Sequence, residues 1–232
     1  MSGSVVVIGG SSGLGKAVAA HYAAQGREVY VTSRDQQRAE ATAEEIGGNT
    51  KGIAVDISRP AEIAPALASI GPVQYLVIAA IERDENTIRD YSVDRAVNLA
   101  TLKLVGYPEV IHALCDRFTE DAAVVLFGGL AKDRPYPGST MVSTVNGGIS
   151  TLIHTLALEL APIRFNAIHP AIVGDTPYWE AKPAEVLEGI RARTPTERLV
   201  TTADVVHAVS FLLENQGVNA VNLVVDGGSL LK

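Results

Sequence analysis

The chain has 232 residues, of which 47% are hydrophobic and 19% charged, with a formal net charge of −7. That is globular composition, with too much apolar material for disorder and an acidic balance that argues against a nucleic-acid-binding surface. Its single cysteine, Cys115, excludes an internal disulfide framework.

The opening Met1-Ser2-Gly3-Ser4 carries no basic n-region or cleavage pattern, and no stretch nears ~20 uninterrupted apolar residues. A cytoplasmic protein without membrane contact is therefore expected. Short apolar runs at 5–8, 28–32, 52–55, 75–79, 123–127, 165–168 and 221–225 read as strands. Between them, residues 14–24 and 148–160 show apolar positions at three- and four-residue spacing, and the latter places Ile149, Leu152, Ile153 and Leu156 on one face. Continuously apolar strands alternating with helices predict an α/β fold: a Rossmann-type, doubly wound parallel sheet of about seven strands with helices on both faces. One dinucleotide-binding domain over 1–232 is expected, with segments 133–138 and about 175–200 as loops or a lid.

The first strand runs into Gly9-Gly10-Ser11-Ser12-Gly13-Leu14-Gly15 and then a helix. Such a turn needs Gly9 for tightness, Gly13 for close approach of a pyrophosphate and Gly15 for helix–sheet packing. The helix N-terminus and the Ser11 and Ser12 hydroxyls would hold the anion. After the second strand come Ser33 and Arg34. An acid there would take a ribose 2′-hydroxyl, whereas Arg suits a 2′-phosphate. NADP(H) is the expected cofactor, with NAD(H) possible if Asp35 reaches the ribose.

The spacing G-x-x-x-G-x-G resembles the short-chain dehydrogenase/reductase family, with Ile8 in place of its usual Thr. Val55-Asp56-Ile57, Asn98 in Ala96-Val97-Asn98-Leu99, the run Arg164-Phe165-Asn166-Ala167-Ile168-His169-Pro170 and Val225-Asp226-Gly227-Gly228 extend the resemblance along nearly the whole chain. It implies cofactor contacts from Asp56 and Ile57, from Ala79 and Ala80 after the fourth strand, and from Pro170, Ile172, Val173 and Thr176 after the sixth. It implies a homodimer or homotetramer built on the helices of 96–118 and 148–160.

The family's catalytic pattern is where the sequence departs. Its Tyr-x-x-x-Lys falls on Val142 and Asn146, and its Ser on Gly128 or Gly129; Asn98 alone remains. Valine has no proton to give, and asparagine supplies no charge. Loss of a general acid costs roughly 10²–10⁴-fold in rate. Three readings stay open. Replacement groups carry the chemistry, with Tyr136 and Lys132, or His169 and His154, as titratable candidates. Alternatively, positioning and solvent protons suffice for an atypical oxidoreductase acting on a small carbonyl or enone. The third reading is a cofactor-binding pseudoenzyme, a sensor or interaction partner. The five histidines show no metal-ligand spacing. Thr176-Pro177-Tyr178-Trp179 lies where the family carries its substrate lid; the substrate itself is unreadable.

Overall fold

The computed structural model describes residues 3–232; the leader reading of Met1 and Ser2 lies outside them. Strands β1 (Ser4–Ile8), β2 (Glu28–Ser33), β3 (Asn49–Ala54), β4 (Val73–Ile78), β5 (Phe118–Phe127), β6 (Arg164–Pro170) and β7 (Asn222–Val225) form one sheet in the order β3-β2-β1-β4-β5-β6-β7. Every pairing is parallel. The expected Rossmann-type sheet is what the chain forms.

Side chains alternate across this sheet. Val5 and Val7 face one layer with Val18 and Tyr22 of α1 (Gly13–Ala24) and Val205, Val209 and Leu212 of α9 (Thr202–Glu214). Val6 and Ile8 face the other, with Tyr107 and Ile111 of α5 (Tyr107–Leu114) and Ile149 and Ile153 of α6 (Thr140–Glu159). Each such buried aliphatic contributes roughly 1.5–3 kcal/mol, and two faces to cover explain why β1 is apolar from Val5 through Ile8.

The remaining helices are α2 (Gln36–Ile46), α3 (Pro60–Ala66), α4 (Val93–Ala100), α7 (Pro177–Glu180) and α8 (Ala184–Arg191). Helix α4 runs into α5 through a π-helical stretch, Thr101–Gly106. Helix α6 begins eight residues before the start of the apolar periodicity, because in its first two turns Ser143, Thr144, Asn146 and Gly147 interrupt the apolar pattern. The expected lid region carries α7 and α8, and closes with a bridge between Val173 and Val200. No helix among the described residues is long and apolar enough to cross a membrane.

Candidate functional site

The sheet order reverses direction between β1 and β4, and ligands of such sheets bind beyond the strand C-termini at that crevice. Gly9 stands there with φ +80, and a Cβ on it would lie 2.6 Å from the Ala80 amide nitrogen. Its N–H donates to the buried Thr32 hydroxyl at 3.0 Å, while the Ala79 N–H donates to the Ile8 carbonyl at 2.9 Å. A side chain on Gly15 would collide with the Gly9 carbonyl. Gly13 differs from both: φ is +52, and open space lies where its side chain would be. Two glycines thus close the turn, and the third leaves its mouth clear.

Ser12 caps α1 in extended conformation without bonding the helix through its side chain. The first-turn N–H groups are left facing the open space with Ser11 and Leu14 alongside, which suits an anion. A cradle of this shape fits a dinucleotide pyrophosphate.

A cavity of about 260 Å³ is lined by Arg34, Ala54, Val55, Asp56 and Arg59, beside the end of β2. Strand β2 runs one residue past its expected end, through Ser33. Asp35 then caps α2, accepting the Arg38 N–H at 2.8 Å. Its carboxylate serves the helix, whereas Arg34 is exposed and makes no ion pair among the described residues. Asp56 accepts from the Ser58 N–H at 3.0 Å and hydroxyl at 2.7 Å, and lies 3.7 Å from Arg59. Ile57 is buried behind it, its carbonyl against Gly106.

The ends of β5 and β6 form the third part. His169 is fully buried on β6. Its Nδ1 accepts the Gly129 N–H at 3.1 Å, and Nε2 lies 2.9 Å from Asn222 Oδ1. A carboxamide oxygen only accepts, so Nε2 carries the proton and the ring is neutral. Burial pushes the imidazole pKa down, and the nearby Lys132 and Lys103 add to that fall. A Cβ on Gly128 would collide with this ring, and one on Gly129 would lie 2.8 Å from Asn146 Nδ2. Asn146 is 4% exposed on α6, one turn after Val142.

Asn98 on α4 donates through Nδ2 to Glu82 Oε2 at 2.7 Å. Tyr136 is 56% exposed. Lys132 pairs with Asp133 at 2.6 Å, and no hydrogen bond joins it to Tyr136 among the described residues. His154 faces outward on α6. Beyond Pro170, Ala171 joins the edge of β7 through the Val225 carbonyl, Ile172 is half-buried and Val173 buried. Thr176 bonds back to the Val173 carbonyl at 2.9 Å and starts α7.

The family model described as enoyl-(acyl carrier protein) reductase matches residues 8–229. A mouse protein named 3-oxoacyl-[acyl-carrier-protein] reductase is 30% identical over 229 residues, covering 96% of this chain and 95% of its own. A solved structure described as a short chain dehydrogenase/reductase family protein superposes with a TM-score of 0.88 at 26% identity, covering 99% and 97%. The chain belongs to the short-chain dehydrogenase/reductase family. Carbonyl reductase family member 4 of Danio rerio is a further relative of this short-chain dehydrogenase/reductase, 31% identical with 98% of each chain covered. The family consists of oxidoreductases that bind nicotinamide cofactors, which agrees with the cradle, the cavity and the switch point.

Sequence reading missed several residues of this short-chain dehydrogenase/reductase site. Thr32 under the glycine turn comes from β2 and Glu82 on Asn98 from the loop after β4, and neither carries a pattern of its own. Lys103 is the exception. It follows Leu99 by four residues and precedes Gly106 by three, which places a lone lysine on the buried face of its helix.

Proposed function

We propose that this short-chain dehydrogenase/reductase is an NADP(H)-dependent oxidoreductase with a non-standard active site, acting on a small carbonyl or enone. The observation that carries the cofactor choice is the contrast between Arg34 and Asp35: the arginine lines the cavity of about 260 Å³ without an ion pair among the described residues, while the acid is spent on capping α2. A guanidinium fork matches a phosphate bidentately. Relatives named 3-oxoacyl-[acyl-carrier-protein] reductase and carbonyl reductase support a carbonyl substrate. Bound NADPH would supply a hydride to an electrophilic carbon.

Gly9, Ser11, Ser12, Gly13, Leu14 and Gly15 hold the pyrophosphate in this reading; Ser33, Arg34, Asp56 and Ile57 hold the adenosine side. Ala79, Ala80, Pro170, Ile172, Val173 and Thr176 border the nicotinamide side. Val142 offers no proton, and Asn98 is already engaged by Glu82. Protons therefore reach the substrate oxygen from solvent or from a group such as Tyr136. A second reading, a cofactor-binding protein without turnover, is favoured by one observation: neutral His169 fills the space beside Gly128 where the family's serine would stand. Exposed Val97, Leu104 and Val105 on the α4–α5 helix, with α6 beside them, offer an apolar face for a homodimer.

Fluorescence titration with NADPH and NADH tests the cofactor assignment. NADPH is expected to bind at least tenfold tighter, and tighter NADH would overturn the role of Arg34. Consumption of NADPH over a carbonyl and enone panel separates turnover from binding alone.

A further inference from the structure

Segment Thr101–Gly106 departs from α geometry between two α-helical pieces of the same helix. A π turn takes up one extra residue, and such turns recur where a side chain must be aimed at a site. The side chain aimed here is Lys103. The residue is 2% exposed, and its Nζ donates to the Phe127 carbonyl at 2.7 Å and to Asn146 Oδ1 at 3.2 Å. Both acceptors are neutral, and no carboxylate among the described residues pairs with it. A buried ammonium without a counter-charge costs several kcal/mol, so packing gives no reason for a lysine at this position.

Asn146 supplies the second observation. An ammonium has three donors and no acceptor, so Lys103 selects the oxygen end of the carboxamide. Nδ2 is thereby turned towards Gly129, where it lies nearest to the position of an absent Cβ, and among the described residues it has no acceptor. The lack of a side chain on Gly129 leaves room for this amide at the C-terminal end of β5.

We propose that Lys103 is a positioning residue of this site, holding Asn146 with Nδ2 directed over Gly129 as a hydrogen-bond donor to an oxygen of the bound dinucleotide or its substrate. The proposal rests on the dinucleotide reading above for its ligand, though not for the Lys103–Asn146 coupling. A neutral amine, unlike an ammonium, has a lone pair and accepts from Nδ2. Loss of the Lys103 proton therefore lets the carboxamide turn, and the site exchanges a donor for an acceptor. Burial pushes the Lys103 pKa down to about 7, which brings this exchange near neutrality. The other titratable groups facing it are Tyr107 on its own helix, its ring centroid 5.3 Å from Nζ, and His169 on β6. Burial pushes the Tyr107 hydroxyl up and keeps His169 neutral, while Lys132 and Asp133 act on His169 from the loop after β5.

The test is NMR on the ligand-free protein with lysine labelled at Cε and asparagine at Nδ2, assigned with Lys103→Met and Asn146→Asp. The Lys103 and Asn146 signals are expected to move with one shared midpoint near neutral pH. Lys103→Met should abolish the Asn146 titration, and Asn146→Asp should raise the Lys103 midpoint by more than two units. NADPH titrations from pH 5.5 to 9 should show at least a threefold change of affinity across that midpoint, flattened in Lys103→Met. An Asn146 signal indifferent to Lys103→Met, or a variant that keeps the wild-type pH profile of NADPH binding, overturns the proposal. A wild-type protein that binds no NADPH while both signals share their midpoint overturns the dinucleotide reading and supports the coupling.

Discussion

The imidazole of His169 occupies the space that any side chain on Gly128 would need, and its Nδ1 receives the N–H of the next residue, Gly129. Gly128 directly follows β5 while His169 lies on the neighbouring β6, and each explains the other. A glycine there admits the ring, and the ring satisfies the backbone that the glycine leaves bare.

Gly128→Ser should therefore overpack the site, at a cost of about 1–3 kcal/mol. Thermal unfolding is the readout. In a His169→Ala background the same serine should cost much less, a coupling that a double-mutant cycle measures. Strictly additive effects would refute the shared space.

Arg34→Ala should weaken NADPH binding by about 10–100-fold, the worth of one or two charge-assisted hydrogen bonds at roughly 1.5–3 kcal/mol. NADH affinity should move by less than about twofold, since it has no 2′-phosphate to lose. Calorimetric titration of both cofactors decides between this and a merely solvated arginine.

The glycines of the phosphate loop should separate by cause. Gly9→Ala meets the Ala80 backbone and should lower the unfolding temperature whether or not a cofactor is present. Gly13→Val starts from a Cβ with nothing within 4 Å, so its folding cost is set mainly by the strained φ, about 1–2 kcal/mol. It should still abolish cofactor binding, because its side chain fills the mouth of the turn. Equal losses of stability in both variants would contradict this division.

Stability should also carry the signature of Lys103. Its pKa is about 7 when folded and near 10.4 when unfolded, so between those values the unfolded chain binds the extra proton. Wild-type stability should therefore rise with pH across that window and stay level, as far as this group is concerned, below it. Lys103→Met should be the more stable protein at pH 7, by roughly 1.4 kcal/mol for each unit of depression, and the gain should vanish towards pH 10.4. Urea unfolding at pH 7, 8.5 and 10 follows it. A gain independent of pH would mean that the lysine is charged throughout.

The central strands were legible because β1, β4 and β5 carry apolar runs buried on both faces, and β1 leads straight into the glycine turn; of β3 only the end was legible, since Asn49, Thr50 and Lys51 open it. Boundaries were less so. Strand β5 begins at Phe118 rather than at residue 123, since Glu120 and Asp121 are exposed and break the apolar run. The start of α6 is hidden by Ser143, Asn146 and Gly147, which have weak helical preference and are held there by packing. For the site, spacing picked out the phosphate loop and Arg34 without help from other elements. The meeting of Lys103 with Asn146, or of His169 with Gly128, depends on which strands and helices become neighbours. No local pattern encodes that.

The π-helical stretch has a consequence for the whole helix that contains it. One surplus residue turns everything after it by about 100° relative to an uninterrupted α-helix. Tyr107, just beyond, donates its hydroxyl to the Ala80 carbonyl at 2.8 Å, beside the glycine turn. Lys103, within it, reaches Phe127 at the end of β5, whose carbonyl also lies 3.4 Å from the Tyr107 hydroxyl, and Asn146 on α6. The ends of β4 and β5 are thus both indexed to the phase of one helix. A single-residue deletion between 101 and 106 would shift that phase and misalign the helix against both strand ends together, without touching either.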